Sequence, residues 1–417
     1  MEILRITTAG SVDDGKSTLI GRLLYETNSL KTDQVETIEA KSKSLGYDYI
    51  DFSLATDGLL TEREQGITID VSHLYFSTPK RRFIIADAPG HVEYTRNMVT
   101  GASNVDIAII LLDARKGVME QTKRHLYITQ LLGIKHLIFT INKMDMIEYN
   151  HEQFKRIVEK IKKLVNQYDW KPKLNFIPVS ALKGDNVTRK SENMPWYNGV
   201  DLLTLIESLS IKHDIRLDGF LQVQHVIRPK TEEFHDYRGF AGKVKSGVFS
   251  EGDEIEIFPS GQKTTVKSIE KYGVKKNKVV AGENATLLLN DEIDTSRGNA
   301  IVKTNHDLKT GKKIQAKICW MQSKDLNPNG KYFLQQGVHK SLIKINAIKS
   351  KMDWEGWKSV PTDCLSMNDI GTVDIQLAQP IIYKPYCNNK NLGAFILIDT
   401  QTNNTAGVGF IQQNVEF

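Results

Sequence analysis

Apolar positions fall into two textures along the chain. In the first half, short unbroken apolar runs alternate with stretches where apolar residues recur three and four positions apart, the pattern of buried strands separated by amphipathic helices. The predicted strands are Ile3–Thr8, Arg82–Ala86, Asp106–Asp113, Lys135–Ile141 and Asn175–Val179. Leu19 with Leu23, and Ile20 with Leu24, set one face of a first helix. A polar, helix-favouring stretch follows from Lys31 to Leu45, a later helix runs to Leu132, and another covers Asp201–Leu209. From Phe220 onward the texture changes to short alternating strands broken by turn signals such as Ser250-Glu251-Gly252-Asp253 and Pro259-Ser260-Gly261. Val244–Phe249 and Glu254–Phe258 are predicted to pair as a hairpin, and a second all-β block is expected from near Lys313 to Ala394–Asp399.

The candidate chemistry lies where the predicted strands end. Ile3–Thr8 runs into Gly10-Ser11-Val12-Asp13-Asp14-Gly15-Lys16-Ser17-Thr18, a phosphate-binding loop opening a helix. Gly10 and Gly15 let the backbone N–H groups turn inward around a β-phosphate, and the helix start adds its positive dipole end. Lys16 is placed to bridge β- and γ-phosphates, and the Ser17 hydroxyl is of the kind that Mg²⁺ takes as an oxygen ligand.

Thr68, in Gly66-Ile67-Thr68-Ile69, sits in the region that a γ-phosphate and Mg²⁺ order in such proteins, so its hydroxyl is a second metal candidate. The strand Arg82–Ala86 ends at Asp87-Ala88-Pro89-Gly90-His91. Asp87 can hold a metal-bound water, Gly90 offers a bare backbone N–H to the γ-phosphate, and His91 is placed to orient an attacking water. Asn142-Lys143-Met144-Asp145 ends the next strand but one: the Asp145 carboxylate matches the ring N–H and exocyclic amino group of guanine, and Lys143 can lay its stem against the base. After the last predicted strand of this half, Ser180-Ala181-Leu182 offers a backbone N–H, at Ala181 or Leu182, to the guanine oxygen. Three loops in this order point to GTP.

Composition excludes more than it suggests. With 55 Lys+Arg against 50 Asp+Glu the formal charge is +5, so no strong field draws the chain to nucleic acid or a membrane. Lys275, Lys276 and Lys278 are expected in a solvated loop. The three cysteines, Cys319, Cys364 and Cys387, have no ligand spacing and are expected as reduced core thiols of a cytoplasmic protein. No export segment or membrane span is expected, and no second phosphate loop occurs.

With these motifs in hand, the whole chain resembles the translation-factor class of GTPases and, within it, the large GTP-hydrolysing subunits of two-subunit bacterial sulfate adenylyltransferases. More specific stretches carry the second resemblance: Gly10–Gly15, Asp57-Gly58-Leu59 before Glu62–Gly66, Tyr94–Met98, Asp113–Val118, Asp291–Gly298 and Ile318-Cys319-Trp320-Met321. One departure is Ala88, where such proteins usually carry threonine. The resemblance implies an α/β P-loop GTPase domain, with a mostly parallel sheet and helices on both faces, over residues 1–213. Two all-β barrel domains would follow, over 219–308 and 312–417. It further implies GTP hydrolysis that drives formation of adenylyl sulfate from ATP and sulfate on a smaller catalytic partner subunit. A carrier of aminoacyl-tRNA, and a free-standing regulatory GTPase, are the alternatives; the weak charge counts against the first.

Overall fold

The computed structural model describes residues 3–55, 72–87, 98–99, 105–167, 170–211, 218–229 and 237–412. It divides into two compact units, Met1–Ile211 and Lys212–Phe417.

The first unit is built on a sheet of β1 (Ile3–Ala9), β2 (Ser72–Ser77), β3 (Arg82–Asp87), β4 (Ile107–Asp113), β5 (His136–Asn142) and β6 (Lys173–Pro178), in the order β2-β3-β1-β4-β5-β6. All pairings are parallel except that of the edge strand β2 with β3. β4 is buried along its whole length, as its unbroken apolar sequence requires of a parallel strand covered on both faces. The helices are α1 (Lys16–Glu26), α2 (Thr32–Ser44), α3 (Glu120–Leu131), α4 (His151–Val165) and α5 (Leu202–Ser208). Leu19, Ile20 and Leu23 of α1 share one apolar cluster with Leu4, Ile6, Ile85 and Ile109 of the sheet and with Leu202 and Ile206 of α5. Full burial of each such side chain contributes about 1.5–3 kcal/mol. Asn150 caps α4 by accepting the Gln153 N–H at 2.9 Å, and Asp201 caps α5 by accepting that of Thr204 at 2.8 Å.

The second unit contains two closed barrels. The first comprises β7 (Phe220–Ile227), β8 (Gly239–Ser246), β9 (Val248–Ser250), β10 (Glu254–Phe258), β11 (Gln262–Lys271), β12 (Val274–Lys276), β13 (Lys278–Val280), β14 (Asn284–Leu289) and β15 (Ala300–Lys303). The ring runs β10-β15-β7-β8-β14-β11 and closes by pairing β11 with β10. The second comprises β16 (Lys309–Trp320), β17 (Tyr332–Gln336), β18 (His339–Asp353), β19 (Lys358–Pro361), β20 (Ile370–Tyr383), β21 (Ala394–Asp399) and β22 (Thr405–Ile411), with a one-turn helix α6 (Lys390–Gly393) before β21. Its ring runs β17-β21-β22-β16-β20-β18 and closes through β17 and β18.

The barrels share a seam. Phe220, Ala300, Val302 and Leu308 pack with Ile382 and Leu392 in one buried cluster. Gln222 of β7 donates to the Gln336 carbonyl at 3.0 Å and accepts from the Val338 N–H at 3.0 Å. The buried Lys384 ammonium pairs with the carboxylates of Asp218 and Asp307.

Three expectations are corrected here. The segments 244–249 and 254–258 do not pair with each other: β8 pairs with β7 and β14, β9 with β13, and β10 with β11 and β15. Lys275, Lys276 and Lys278 lie on the short strands β12 and β13 rather than in a loop, and Lys275 pairs with Glu251 at 3.1 Å. Only Cys319 is a core thiol; Cys364 is half-buried and Cys387 exposed. Among the described residues no helix is long and apolar enough to cross a membrane.

Candidate nucleotide site

β1 lies between β3 and β4, so the chain leaves it toward one side of the sheet and returns on the other. At such a switch point the loops beyond the carboxyl ends of the strands part and leave a crevice. The segment after β1 fills that position. Its Ser11 N–H donates to Asp14 Oδ2 at 2.7 Å and the Asp14 N–H returns to the Ser11 carbonyl at 3.2 Å, closing the loop on itself. Gly15 caps α1 with φ of 89°, and a Cβ there would lie 2.4 Å from Asn142 Nδ2, so only glycine fits. Burial pushes the Asp14 carboxyl up to about 6, against the pull of the Ser11 N–H.

Lys16 and Asp87 meet inside this loop. Lys16 Nζ donates to Asp87 Oδ1 at 2.8 Å, with the two side chains 8% and 2% exposed, and Thr8 Oγ1 donates to the same oxygen at 2.7 Å. The sequence placed Lys16 and Asp87 in one crevice; Thr8, which fixes the carboxylate, had no signal that set it apart from Arg5 and Thr7, the other polar residues of its strand. The Ser17 and Thr18 side chains are half-exposed beside Lys16, and Val12 and Asp13 are exposed. Among the described residues, the buried Ser11 Oγ has no hydrogen-bond partner. Gly10 packs so tightly that a Cβ would stand 3.1 Å from that of Leu111. Thr68, Ala88, Pro89, Gly90 and His91 lie outside the described residues.

The loops after β5 and β6 are fastened to the phosphate loop by one side chain. Asn142 Nδ2 donates to the Asp14 carbonyl at 2.8 Å, and Asn142 Oδ1 accepts the Ala181 N–H at 2.9 Å. Lys143, in the left-handed region at φ of 62°, lays its ammonium on the Asp13 carbonyl and pairs with Asp113 Oδ2 at 3.2 Å. Burial works to raise the Asp113 carboxyl, but hydrogen bonds from the Arg115 side chain and backbone, with Lys143, hold it down at about 2. Asp145 follows in a short turn, Met144–Ile147, anchored by the buried Met144, and its own carboxylate is half-buried. Ser180 is buried, and its hydroxyl accepts the Lys183 N–H at 3.2 Å. The Ala181 N–H is engaged by Asn142, whereas the Leu182 N–H has no hydrogen-bond partner among the described residues.

Phosphate loop, switch-point sheet and two closed barrels together define a GTP-binding protein of the elongation factor Tu class. The elongation factor Tu GTP binding domain family matches residues 1–220, elongation factor Tu domain 2 matches 241–302, and the GTP-eEF1A C-terminal domain-like family matches 313–412. Full-length relatives narrow the class. The sulfate adenylyltransferase subunit 1 of Bacteroides fragilis is 45% identical, covering 100% of this chain and 87% of its own. Those of Bacteroides thetaiotaomicron (44%, covering 100% and 87%) and Francisella tularensis (45%, covering 98% and 87%) are equally similar. The chain belongs to the sulfate adenylyltransferase subunit 1 family.

Proposed function

We propose that this chain is the GTP-hydrolysing regulatory subunit of a cytoplasmic sulfate adenylyltransferase. A smaller catalytic subunit would bind ATP and sulfate and transfer the adenylyl group, releasing pyrophosphate, while GTP hydrolysis here drives that uphill step. The supporting observation is 45% identity along the whole chain to relatives of that name, in a chain that also carries the buried Lys16–Asp87 pair at a phosphate loop. Neither nucleic acid nor membrane is part of this reading.

The residues present fit a Mg²⁺–nucleotide pair. A carboxylate at a strand end and a half-exposed serine hydroxyl form an all-oxygen donor set suited to a hard cation that keeps waters and phosphates as its other ligands. Ser17 and Thr68 would hold the ion directly and Asp87 through water; bound there, it would neutralise charge on the phosphate oxygens. Lys16 bridges the β- and γ-phosphates. His91 orients a water whose oxygen bonds to the γ-phosphorus as the bond from that phosphorus to the bridging oxygen breaks, leaving GDP and inorganic phosphate.

His91→Ala is therefore expected to slow single-turnover hydrolysis about 10²-fold or more while GTP affinity stays nearly unchanged. Equal hydrolysis in the two proteins would assign the imidazole to structure. The chain by itself is expected to hydrolyse GTP slowly, because the sequence places no arginine in cis at the transition state, a group worth about 10³–10⁵ in rate. Affinity purification of the native protein should bring down a stoichiometric smaller subunit, and the pair should make adenylyl sulfate faster with GTP than without. A chain that purifies alone and leaves adenylyl sulfate formation unaffected by GTP would overturn the reading.

A further inference from the structure

Arg22 lies six residues beyond Lys16 on α1, on the side turned to the loop after β6. Its Nε donates to the Ala181 carbonyl at 2.9 Å, and its Nη2 donates to the Leu182 carbonyl. The guanidinium is itself held on two further sides. Glu26, one turn on, accepts from Nη1 at 3.0 Å and takes the Thr188 hydroxyl on its other oxygen, and the Phe52 ring lies 4.4 Å beneath the guanidinium carbon. Gly184, at φ of 86°, opens the space: a Cβ there would stand 3.1 Å from Glu26 Oε1 and 3.2 Å from Arg22 Nη1.

The grip on these carbonyls has a directional consequence. In a planar trans peptide the C=O and the following N–H point opposite ways. Holding the Ala181 oxygen on Arg22 thus aims the Leu182 N–H away from α1, and that N–H has no partner among the described residues. The next peptide is held at both ends, its carbonyl by Arg22 and its N–H by the Ser180 hydroxyl at 3.2 Å. The Ala181 N–H is fixed by Asn142, and the Gly184 N–H closes the turn on the Ser180 carbonyl at 2.8 Å.

We infer that Arg22 is a positioning residue for base selection: it orients the Ala181–Leu182 peptide so that the Leu182 N–H meets the oxygen at position 6 of guanine. This rests on the reading of Ser180–Leu182 as part of the guanine site. Arg22 touches neither phosphate nor base in this role, and its effect is confined to one edge of the purine. The other edge, with the 2-amino group, belongs to Asp145.

The test compares the full chain's affinity for GTP, 6-thio-GTP and ITP. The first analogue replaces only the oxygen at position 6 by a weak acceptor, and the second removes only the 2-amino group. The native protein should favour GTP over 6-thio-GTP by about 10-fold, the value of one hydrogen bond to a pre-aimed donor. Arg22→Ala should cut that preference to less than about 3-fold and leave the GTP-to-ITP ratio as it was. Arg22→Lys keeps the charge facing Glu26 but lacks the rigid planar fork that fits both carbonyls, so an intermediate preference is expected from a protein that still folds. If both ratios stay at their native values in Arg22→Ala, or if both fall together, Arg22 does not aim this peptide. If the native protein fails to distinguish GTP from 6-thio-GTP, the reading of the Ser180–Leu182 loop falls, and the inference with it.

Discussion

Asp145→Asn is expected to abolish the response to GTP and to create one to xanthosine triphosphate. The carboxylate only accepts hydrogen bonds, which matches the two donors on the guanine edge; an amide in its place sets N–H₂ against an amino group. Xanthine carries a carbonyl at that position and restores the match. Sites built on paired hydrogen bonds reject mismatched bases strongly, so the loss of GTP affinity should reach about 10³-fold or more. The surroundings make this a clean exchange. The loop's position is set by Asn142 on the Asp14 carbonyl, by Lys143 on Asp113 and by the buried Met144, none of which involves the Asp145 side chain. Titration of both nucleotides into both proteins decides the matter: retained GTP affinity with no gain for xanthosine triphosphate would remove Asn142–Asp145 from the site.

Lys16→Ala should show the second large effect, in two measurements that separate its roles. The ammonium is paired with Asp87 at 2.8 Å in nearly complete burial. Removing one partner of such a pair leaves the other charge buried alone and costs about 3–5 kcal/mol. Denaturant titration of the nucleotide-free protein should show that loss. Lys16→Ala with Asp87→Asn should recover part of the stability, because the stranded charge is gone. GTP affinity should not recover in the double variant, since the phosphate contact is still missing, and it should stay about 10³-fold or more below native. Native GTP affinity in Lys16→Ala would place the phosphates elsewhere.

What could be read from the sequence follows a physical line. Strands such as β4 are legible because burial on both faces writes an unbroken apolar run, and the phosphate loop because its glycines and lysine are closely spaced. Barrel pairing is not local in the same way. β10 carries the alternation of a half-buried strand, but that pattern is silent about which neighbour it meets, and ring closure gives it β11 and β15 rather than the segment before the turn. The lysines at 275, 276 and 278 read as loop because exposed edge strands need no apolar alternation, and β12 is exposed throughout. Arg22 was invisible for another reason. On the helix it is one polar residue among apolar ones, and the carbonyls it holds are 159 and 160 residues away. Asn142 was legible as part of a motif, but its work as the tie between two loops was not.

The seam between the barrels decides how the second unit can be divided for engineering. A cut near Thr304 would bare Phe220, Ala300 and Val302 on one piece and Ile382 and Leu392 on the other, and would separate Gln222 from the Gln336 carbonyl. Lys384 would be parted from Asp218. Each piece would then carry a sticky apolar face, and Asp218 would lose its ion-pair partner while Lys384 kept only Asp307. The two barrels are thus one cassette, to be moved or expressed together, and tags or inserted loops belong in turns such as Tyr272-Gly273, where the tyrosine is 89% exposed and a side chain on the glycine would meet nothing.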